Sequence, residues 1–224
     1  MFPKWSAAKL FETHTGGIEF VPEPLSAGSA TAAAAPPGST HAPGMAGVTA
    51  VFATRPAFTY EMPPQKLFDD AEKISMVGLS LNLLCQQYSD KSLLERLASG
   101  TVVECLFLDP EGEHVKAREQ EEGHPPGVLS TLTALNILAL QRVYGKLSAD
   151  ARGNLRIRTY DEPVRFNIVV MDDLTCVVQP YLPDARGVES PTLVAEKQPG
   201  APGLFETFTQ VFESMWNRSK EVIA

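Results

Sequence analysis

Apolar and polar positions in the first half of the domain follow a strand–helix–strand pattern. The segments ISMVGLSLNLL (residues 74–84) and TVVECLFLDP (residues 101–110) are nearly continuous apolar runs, which are typical of buried strands in α/β sheets. Between them, Ser89 is a favourable N-cap and Gly100 a favourable terminator for a helix. Upstream, the pattern predicts a short strand at residues 48–54 and a helix at residues 63–73.

The periodicity changes to that of strands after Gly153. Residues 155–160, 164–171 and 175–181 are predicted strands, and Asp172-Asp173 fits a tight turn between the last two. Two helices flank this region. One is predicted at residues 128–147, with Leu132, Leu135, Ala139 and Val143 on one face. The other, at about residues 203–220, carries an apolar stripe typical of core or dimer packing: Phe205, Phe208, Phe212, Met215 and Trp216.

This order of elements predicts an α/β fold in which a mixed sheet is flanked by helices on both faces. We expect that domain to occupy residues 48–224. Residues 25–47 are a low-complexity stretch of Ala, Gly, Pro and Ser, and such a composition predicts a flexible linker. Residues 1–24 contain scattered aromatic side chains and are interpreted either as a short docking arm or as a disordered tail.

Composition narrows the classes of function. The net charge of −8 argues against general nucleic-acid binding and against anionic membrane surfaces. The three cysteines lie in apolar segments without C-x-x-C spacing, which predicts buried free thiols and a cytoplasmic location. We see no apolar run of membrane-spanning length and no signal peptide. No zinc spacing, phosphate-binding loop or dinucleotide fingerprint is present, so we expect neither a metal nor a cofactor.

The layout of the strands and one motif resemble a half-unit of the phospholipase D superfamily. That family carries His-x-Lys-x4-Asp at the head of an apolar strand. Here the corresponding stretch is RFNIVVMD at residues 165–172, so Arg165 replaces the His, Asn167 replaces the Lys, and Asp172 is retained. The resemblance implies the superfamily's homodimer with a site across the two-fold axis. It also implies that the nucleophilic and acid–base catalysis of the family is lost, because the guanidinium of Arg165 stays protonated and is neither a nucleophile nor a base.

The chain also resembles an uncharacterised phospholipase D-like domain found behind helix-turn-helix regions in bacterial regulators. Asp109-Pro110, Arg118-Glu119, Glu121-Glu122-Gly123 and Phe166-Asn167 carry this resemblance, which covers roughly residues 62–218. No helix-turn-helix is visible in the sequence. A second match to the motif spacing, His114-x-Lys116-x4-Glu121, is set aside because the residues after Lys116 cannot form a buried strand.

Polar residues within apolar strands define a candidate pocket. Strand alternation places Arg165, Asn167 and Val169 on one face, and Phe166 and Ile168 on the other. Arginine can hold a phosphate or carboxylate through two parallel hydrogen bonds, so Arg165 and Arg118 are candidate anion ligands. Sheets in α/β proteins commonly bind ligands at the ends of their strands. Four other polar residues near the predicted strand ends are therefore candidate ligand-binding residues: Ser80, Asn82, Gln179 and Tyr181.

Catalytic roles are assigned to Asn167, Asp172, Glu122 and His124 if a reaction occurs. His124 precedes two prolines and is a candidate general base. In the alternative interpretation these residues have no functional role. Residues 111–123 then form a solvated charged surface, and the polar residues in the strands are isolated, hydrogen-bonded residues of the core. Three hypotheses remain: a domain that binds a small phosphorylated or anionic ligand, such as a nucleotide, as a sensor or accessory protein; a hydrolase or transferase of phosphate esters or nucleotides; and a scaffold that uses the N-terminal arm.

Overall fold

The computed structural model describes residues 45–223. The predicted arm at residues 1–24 and most of the predicted linker lie outside the described residues. The strands are β1 (Val48–Phe52), β2 (Lys73–Gly78), β3 (Val102–Leu108), β4 (Leu155–Tyr160), β5 (Phe166–Met171), β6 (Thr175–Pro180), β7 (Thr192–Glu196) and β8 (Lys220–Ile223). The helices are α1 (Arg55–Glu61), α2 (Pro64–Phe68), α3 (Asn82–Cys85), α4 (Asp90–Ala98), α5 (Glu113–Glu121), α6 (Val128–Tyr144) and α7 (Leu204–Arg218).

These strands form one mixed sheet in the order β1-β7-β6-β5-β2-β3-β4-β8. Strands β2, β3 and β4 run parallel to one another, and every other pairing is antiparallel. Helices cover both faces. Side chains of α4 and α6 pack on one face, whereas α7 packs on the other. The predicted α/β class, with a mixed sheet flanked by helices, is therefore confirmed.

The hairpin between β5 and β6 follows the predicted tight turn. Asp172 and Asp173 both have positive φ, at 54° and 52°, and Leu174 N donates to Met171 O at 3.0 Å. Two left-handed central residues define the turn type whose twist matches that of the flanking strands. The Asp172 carboxylate also accepts hydrogen bonds from the backbone N–H groups of Glu72 and Lys73, each at 2.8 Å. This carboxylate therefore joins the hairpin to the start of β2.

The apolar run at residues 74–84 is one strand followed by a turn and a short helix, and the prediction of a single strand is wrong. Strand β2 ends at Gly78, and Leu81 adopts a left-handed φ of 49°. A side chain from α6 holds this turn: Asn136 Nδ2 donates to Ser80 O at 2.6 Å and to Asn82 Oδ1 at 2.8 Å. Apolar composition alone could not reveal a break that a distant asparagine stabilises.

Helix α6 forms as predicted, but the predicted face is only partly buried. Val143 is buried as expected, whereas Leu135 is 57% exposed, and the buried residues Ile137 and Leu140 were not predicted for that face. The helix is apolar around most of its circumference, so the periodicity could not define the buried side. The predicted stripe on α7 does pack into the core, with Phe205 and Phe212 buried. Within residues 45–223, no helix is long and apolar enough to cross a membrane.

Candidate functional site

A cavity of about 180 Å³ opens where β2 and β6 end. Leu79 follows β2 directly, and Tyr181 follows β6. Because β5 is antiparallel to β2, the first residues of β5 lie at the same edge of the sheet. The ends of strands are where α/β sheets commonly bind ligands. We call this the strand-end cavity. It is lined by Arg55, Leu79, Ser80, Asn82, Glu122, His124, Val128, Leu129, Leu132, Tyr181, Arg186, Gly187 and Val188.

Arg55 is the first residue of α1 and enters the cavity from the side of β1. Thr54 begins this helix as its N-cap, with Oγ1 accepting from Ala57 N at 3.4 Å. Arg55 Nε donates to Gln179 Oε1 at 3.0 Å. This bond uses one edge of the guanidinium, and among residues 45–223 no partner takes up its two terminal nitrogens. Those four N–H donors are available to an anion.

A buried amide network lies behind Arg55. The Gln179 Oε1 atom also accepts from Asn167 Nδ2 at 3.1 Å, and Gln179 Nε2 donates to Thr192 Oγ1 at 2.7 Å. All three side chains are buried. Polar groups removed from water need partners, so this network holds Gln179 in one orientation. Gln179 in turn sets the direction of the Arg55 guanidinium.

Arg118 on α5 ties down the loop that borders the cavity. Its guanidinium donates to Glu122 Oε1 at 2.8 Å, to Leu182 O at 3.1 Å and to Ala185 O at 2.7 Å. It also lies 5.1 Å from the centre of the Tyr181 ring. The Arg118 side chain is only 2% exposed. With a further bond to Glu121 Oε2, four of its five N–H donors are engaged by the protein, so Arg118 supports the loop.

Glu122, His124 and Tyr181 form the titratable part of the cavity. Glu122 Oε2 lies 3.4 Å from His124 Nε2. The Tyr181 hydroxyl accepts a hydrogen bond from Leu79 N at 3.2 Å. Burial raises the pKa of Tyr181, while the nearby positive charge of Arg55 opposes this shift. The Tyr181 hydroxyl consequently stays protonated at neutral pH and can donate a hydrogen bond to a bound anion.

The cavity brings together half of the residues predicted from the sequence. Ser80, Asn82, Glu122, His124 and Tyr181 line it. Gln179 and Asn167 lie one layer behind, joined to it through Arg55. Sequence reasoning missed Arg55, which stands in the Thr-Arg-Pro start of a helix that was not predicted. It also missed Asn136, a buried asparagine in the middle of an apolar helix.

Two predicted residues lie elsewhere. Arg165 precedes β5 and lines a separate cavity beneath α7, so the prediction that it shares a pocket with Asn167 is wrong. The strict alternation of strand side chains does not extend to Arg165, because β5 begins only at Phe166. Asp172 is at the opposite end of β5, where its carboxylate is engaged by the backbone N–H groups of Glu72 and Lys73.

The second match to the motif spacing lies on helix α5 and not on a buried strand. His114 pairs with Asp161, with 2.9 Å between Nδ1 and Oδ1, and Lys116 is exposed. Glu119, in the same helix, accepts from Gly127 N and Ser130 N, each at 2.9 Å. It therefore caps the start of α6. Among residues 45–223, no group of three or more His, Cys, Asp or Glu side chains is placed to hold a metal ion.

Solved structures with a similar fold share little sequence with this chain. The archaeal chromatin protein TrmBL2 matches with 11% identity and a TM-score of 0.47, over 77% of this chain and 54% of its own. Nuc from Salmonella typhimurium, a phospholipase D family member, matches with 16% identity and a TM-score of 0.48, over 78% of this chain and 99% of its own.

Phosphatidylserine synthase from Haemophilus influenzae Rd KW20 matches with 13% identity and a TM-score of 0.51, over 77% of this chain and 38% of its own. This similarity shows the fold alone, and it agrees with the predicted α/β fold with a mixed sheet flanked by helices. The chain spans only about half of the archaeal protein and less than half of the synthase. No curated protein matches the sequence. The model of one protein family, Domain of unknown function (DUF5919), matches residues 44–223, and the chain belongs to that family.

Proposed function

We propose that this domain binds a small phosphorylated or otherwise anionic ligand in the strand-end cavity, and that it acts as a sensor or accessory protein. The observation that carries this proposal is the Arg55 guanidinium. One of its edges is anchored on Gln179, at 3.0 Å, and the other points into a cavity at the ends of the strands. An anchored guanidinium with free paired donors is suited to hold a phosphate or carboxylate.

The charge of the cavity supports an anionic ligand. Arg55 and Arg186 contribute two positive charges, and among residues 45–223 neither forms an ion pair. The one carboxylate in the lining, Glu122, is engaged by Arg118. The cavity therefore carries excess positive charge on a protein whose net charge is −8. Local charge of this kind attracts anions in spite of the overall charge.

The size of the cavity limits what can enter it. A volume of about 180 Å³ corresponds to roughly six water molecules at ~30 Å³ each. A phosphate group with part of its ester fits this space, whereas a whole nucleotide does not. In a bound nucleotide, the terminal phosphate would occupy the cavity. The base would then rest on the apolar rim formed by Val128 and Val188.

Titration calorimetry with ADP and glucose 6-phosphate tests this proposal. Arg55→Ala should weaken binding by about 10- to 100-fold, since a hydrogen bond to a charged group contributes about 1.5–3 kcal/mol. Arg142→Ala is the matched control, because Arg142 is exposed on α6 and does not line the cavity. Binding that is absent in the wild type, or equal in both variants, would contradict the proposal.

The pairing of His124 with Glu122 favours a second candidate, a hydrolase or transferase of phosphate esters. A carboxylate 3.4 Å from an imidazole nitrogen can orient the ring for general acid–base work. If this candidate holds, the wild type releases phosphate from an ester that it binds. His124→Gln should then abolish release while leaving binding intact. Binding without any turnover would exclude this candidate and leave the ligand-binding proposal unaffected.

We also propose that the domain forms a homodimer. Helix α6 exposes Val128, Leu135 and Leu138 at 42%, 57% and 53%, and exposed apolar patches commonly mark interaction surfaces. Native mass spectrometry of the full chain tests this proposal. We expect a dimer for the wild type and a monomer for Leu135→Lys. A monomeric wild type would contradict it.

A further inference from the structure

A second cavity lies beneath α7 and has no role in the function proposed above. It measures about 430 Å³ and separates α7 from the connection between β4 and β5. We call it the α7 cavity. It is lined by Tyr160, Glu162, Pro163, Arg165, Phe166, Thr207, Gln210, Val211, Ser214, Met215 and Arg218. None of these residues lines the strand-end cavity.

We propose that the α7 cavity is a second ligand site, which takes a small organic monocarboxylate with an aromatic body. This proposal does not depend on the one for the strand-end cavity. Three observations carry it: the positive charge of Arg165 at the rim, the apolar surface inside, and the volume. Small-molecule sites usually measure about 300–1,000 Å³ and are mostly apolar with a few polar anchoring groups.

One of the two arginines that line the α7 cavity forms no ion pair within the described residues. Arg218 donates to both carboxylate oxygens of Glu162, with Nη2 at 2.9 Å from Oε2, and to Ser214 Oγ at 2.7 Å. These hydrogen bonds lower the pKa of Glu162, so the pair is a stable neutral unit at neutral pH. The charge of Arg165 also helps to lower the pKa of Glu162, but Arg165 is exposed and forms no ion pair with any residue between 45 and 223. Its guanidinium is the group that can bind an anion through two parallel hydrogen bonds.

The number of unpaired cations restricts the charge of that anion. Arg218 neutralises Glu162, so Arg165 is the one cation in the lining of the α7 cavity that is left for a ligand. A single carboxylate matches the one available guanidinium. A phosphate dianion, which we propose for the strand-end cavity, does not. The two cavities therefore differ in the charge that they accept.

The interior of the cavity is suited to an aromatic ring. Phe166, Val211 and Met215 contribute side chains to its wall, and the Phe166 ring is fixed by an edge-to-face contact with Phe208, with 5.3 Å between the ring centres. Aromatic rings and methionine sulfur pack favourably against a ligand ring. The volume of about 430 Å³ accommodates roughly ten to fourteen non-hydrogen atoms, at the ~30 Å³ that a water molecule occupies.

Indole-3-acetate and its neutral amide are suitable probes, because they have the same shape and differ in charge. Titration calorimetry on the full chain should give a dissociation constant between about 10 µM and 1 mM for the carboxylate, the range typical of ligands of this size. The amide should bind at least about tenfold more weakly, and acetate, which lacks the apolar body, should give no measurable heat. Equal binding of the amide would overturn the proposal.

Substitutions then locate the site. Arg165→Ala should weaken indole-3-acetate binding at least about tenfold, while Arg142→Ala and Arg55→Ala should leave it unchanged. Val211→Phe, which fills the cavity, should also reduce binding, and Arg165→Gln tests the charge without shortening the side chain. Circular dichroism and thermal unfolding verify that each variant is folded. Wild-type affinity in folded Arg165→Ala would show that the carboxylate binds elsewhere. Unchanged binding in Arg55→Ala separates this result from any failure of the strand-end cavity.

Discussion

The strand-end cavity and the α7 cavity are supported by different kinds of interaction. Behind the first lie buried polar residues: Arg118 with its carboxylate and carbonyl partners, and Gln179 with Asn167 and Thr192. Behind the second lie aromatic and aliphatic side chains of α7, among them Phe205 and Phe212. Two hydrogen bonds join the two regions: Tyr181 N donates to Arg165 O at 2.8 Å, and the Tyr160 hydroxyl donates to Gly78 O at 3.3 Å.

This difference predicts how each cavity responds to amino-acid substitutions in the residues behind it. A hydrogen bond specifies distance and direction, so a polar support holds a guanidinium in one orientation, and each partner that is lost leaves a buried group unsatisfied. Apolar packing has no direction and tolerates exchange of side chains of similar volume. We therefore expect substitutions behind the strand-end cavity to be more damaging than comparable substitutions behind the α7 cavity.

The largest effect should come from Arg118→Ala. Glu122, whose side chain is 6% exposed, would lose its partner, and two loop carbonyls would lose their donor. Removing one member of a buried ion pair destabilises a protein by about 3–5 kcal/mol. Denaturation by urea measures this loss. Lys116→Ala is the control on the same helix, and because Lys116 is exposed, it should change stability by less than about 0.5 kcal/mol. Equal effects of the two substitutions would contradict the proposed support.

Gln179→Leu should have the next largest effect. The substitution keeps the volume but leaves Arg55 Nε, Asn167 Nδ2 and the Thr192 hydroxyl without their partner, which costs about 1–3 kcal/mol. Calorimetry should show weaker binding of ADP and unchanged binding of indole-3-acetate, because only the strand-end cavity depends on this network. Gln120→Leu, at an exposed position on α5, serves as the control. Loss of both ligands together would mean that the two cavities share a support.

Glu119→Gln should remove about 1–2 kcal/mol at pH 7, with a dependence on pH. Burial alone would raise the pKa of Glu119, but hydrogen bonds from Ser130 and Gly127 outweigh it and lower the pKa. A lowered pKa in the folded state means that the stabilisation is complete above the ordinary glutamate pKa of about 4.3 and is lost as the pH falls through the folded value. Urea titrations at several pH values should therefore show the two proteins converging in stability below about pH 4. A difference that stayed constant over this range would contradict the role of the charge.

Phe212→Leu should have the smallest effect, about 1 kcal/mol, although Phe212 is buried and stacks on Trp216 with 5.6 Å between the ring centres. Thermal unfolding measures the change. The affinity for indole-3-acetate should stay within about threefold of the wild type, since Phe212 does not line the α7 cavity. A loss above about 3 kcal/mol would show that the apolar support is as exacting as the polar one.

Much of the fold could be predicted from the sequence, because its local patterns act over short distances. Strands β3 to β6, the Ser89 cap, the Asp172-Asp173 turn and α7 agree with the predictions. Strands β7 and β8 and helix α1 were not predicted, and α5 was described only as a charged segment. In β8, three of the four residues are exposed. Pairing with β4 gives this segment its structure, and such pairing has no local sequence pattern.

The sequence by itself determined which polar residues interrupt or follow the apolar segments, and so it singled out Ser80, Asn82, Gln179 and Tyr181. It singled out Glu122 and His124 from the charged segment and from the loop before two prolines. Only the tertiary structure decided which arginine faces which cavity. Arg118 is engaged by a loop more than sixty residues away, Arg165 turns towards α7, and Arg55 enters the strand-end cavity from a helix beside β1. The physical reason is that an arginine takes its role from the partners that come within hydrogen-bonding distance, and here those partners are far away along the chain.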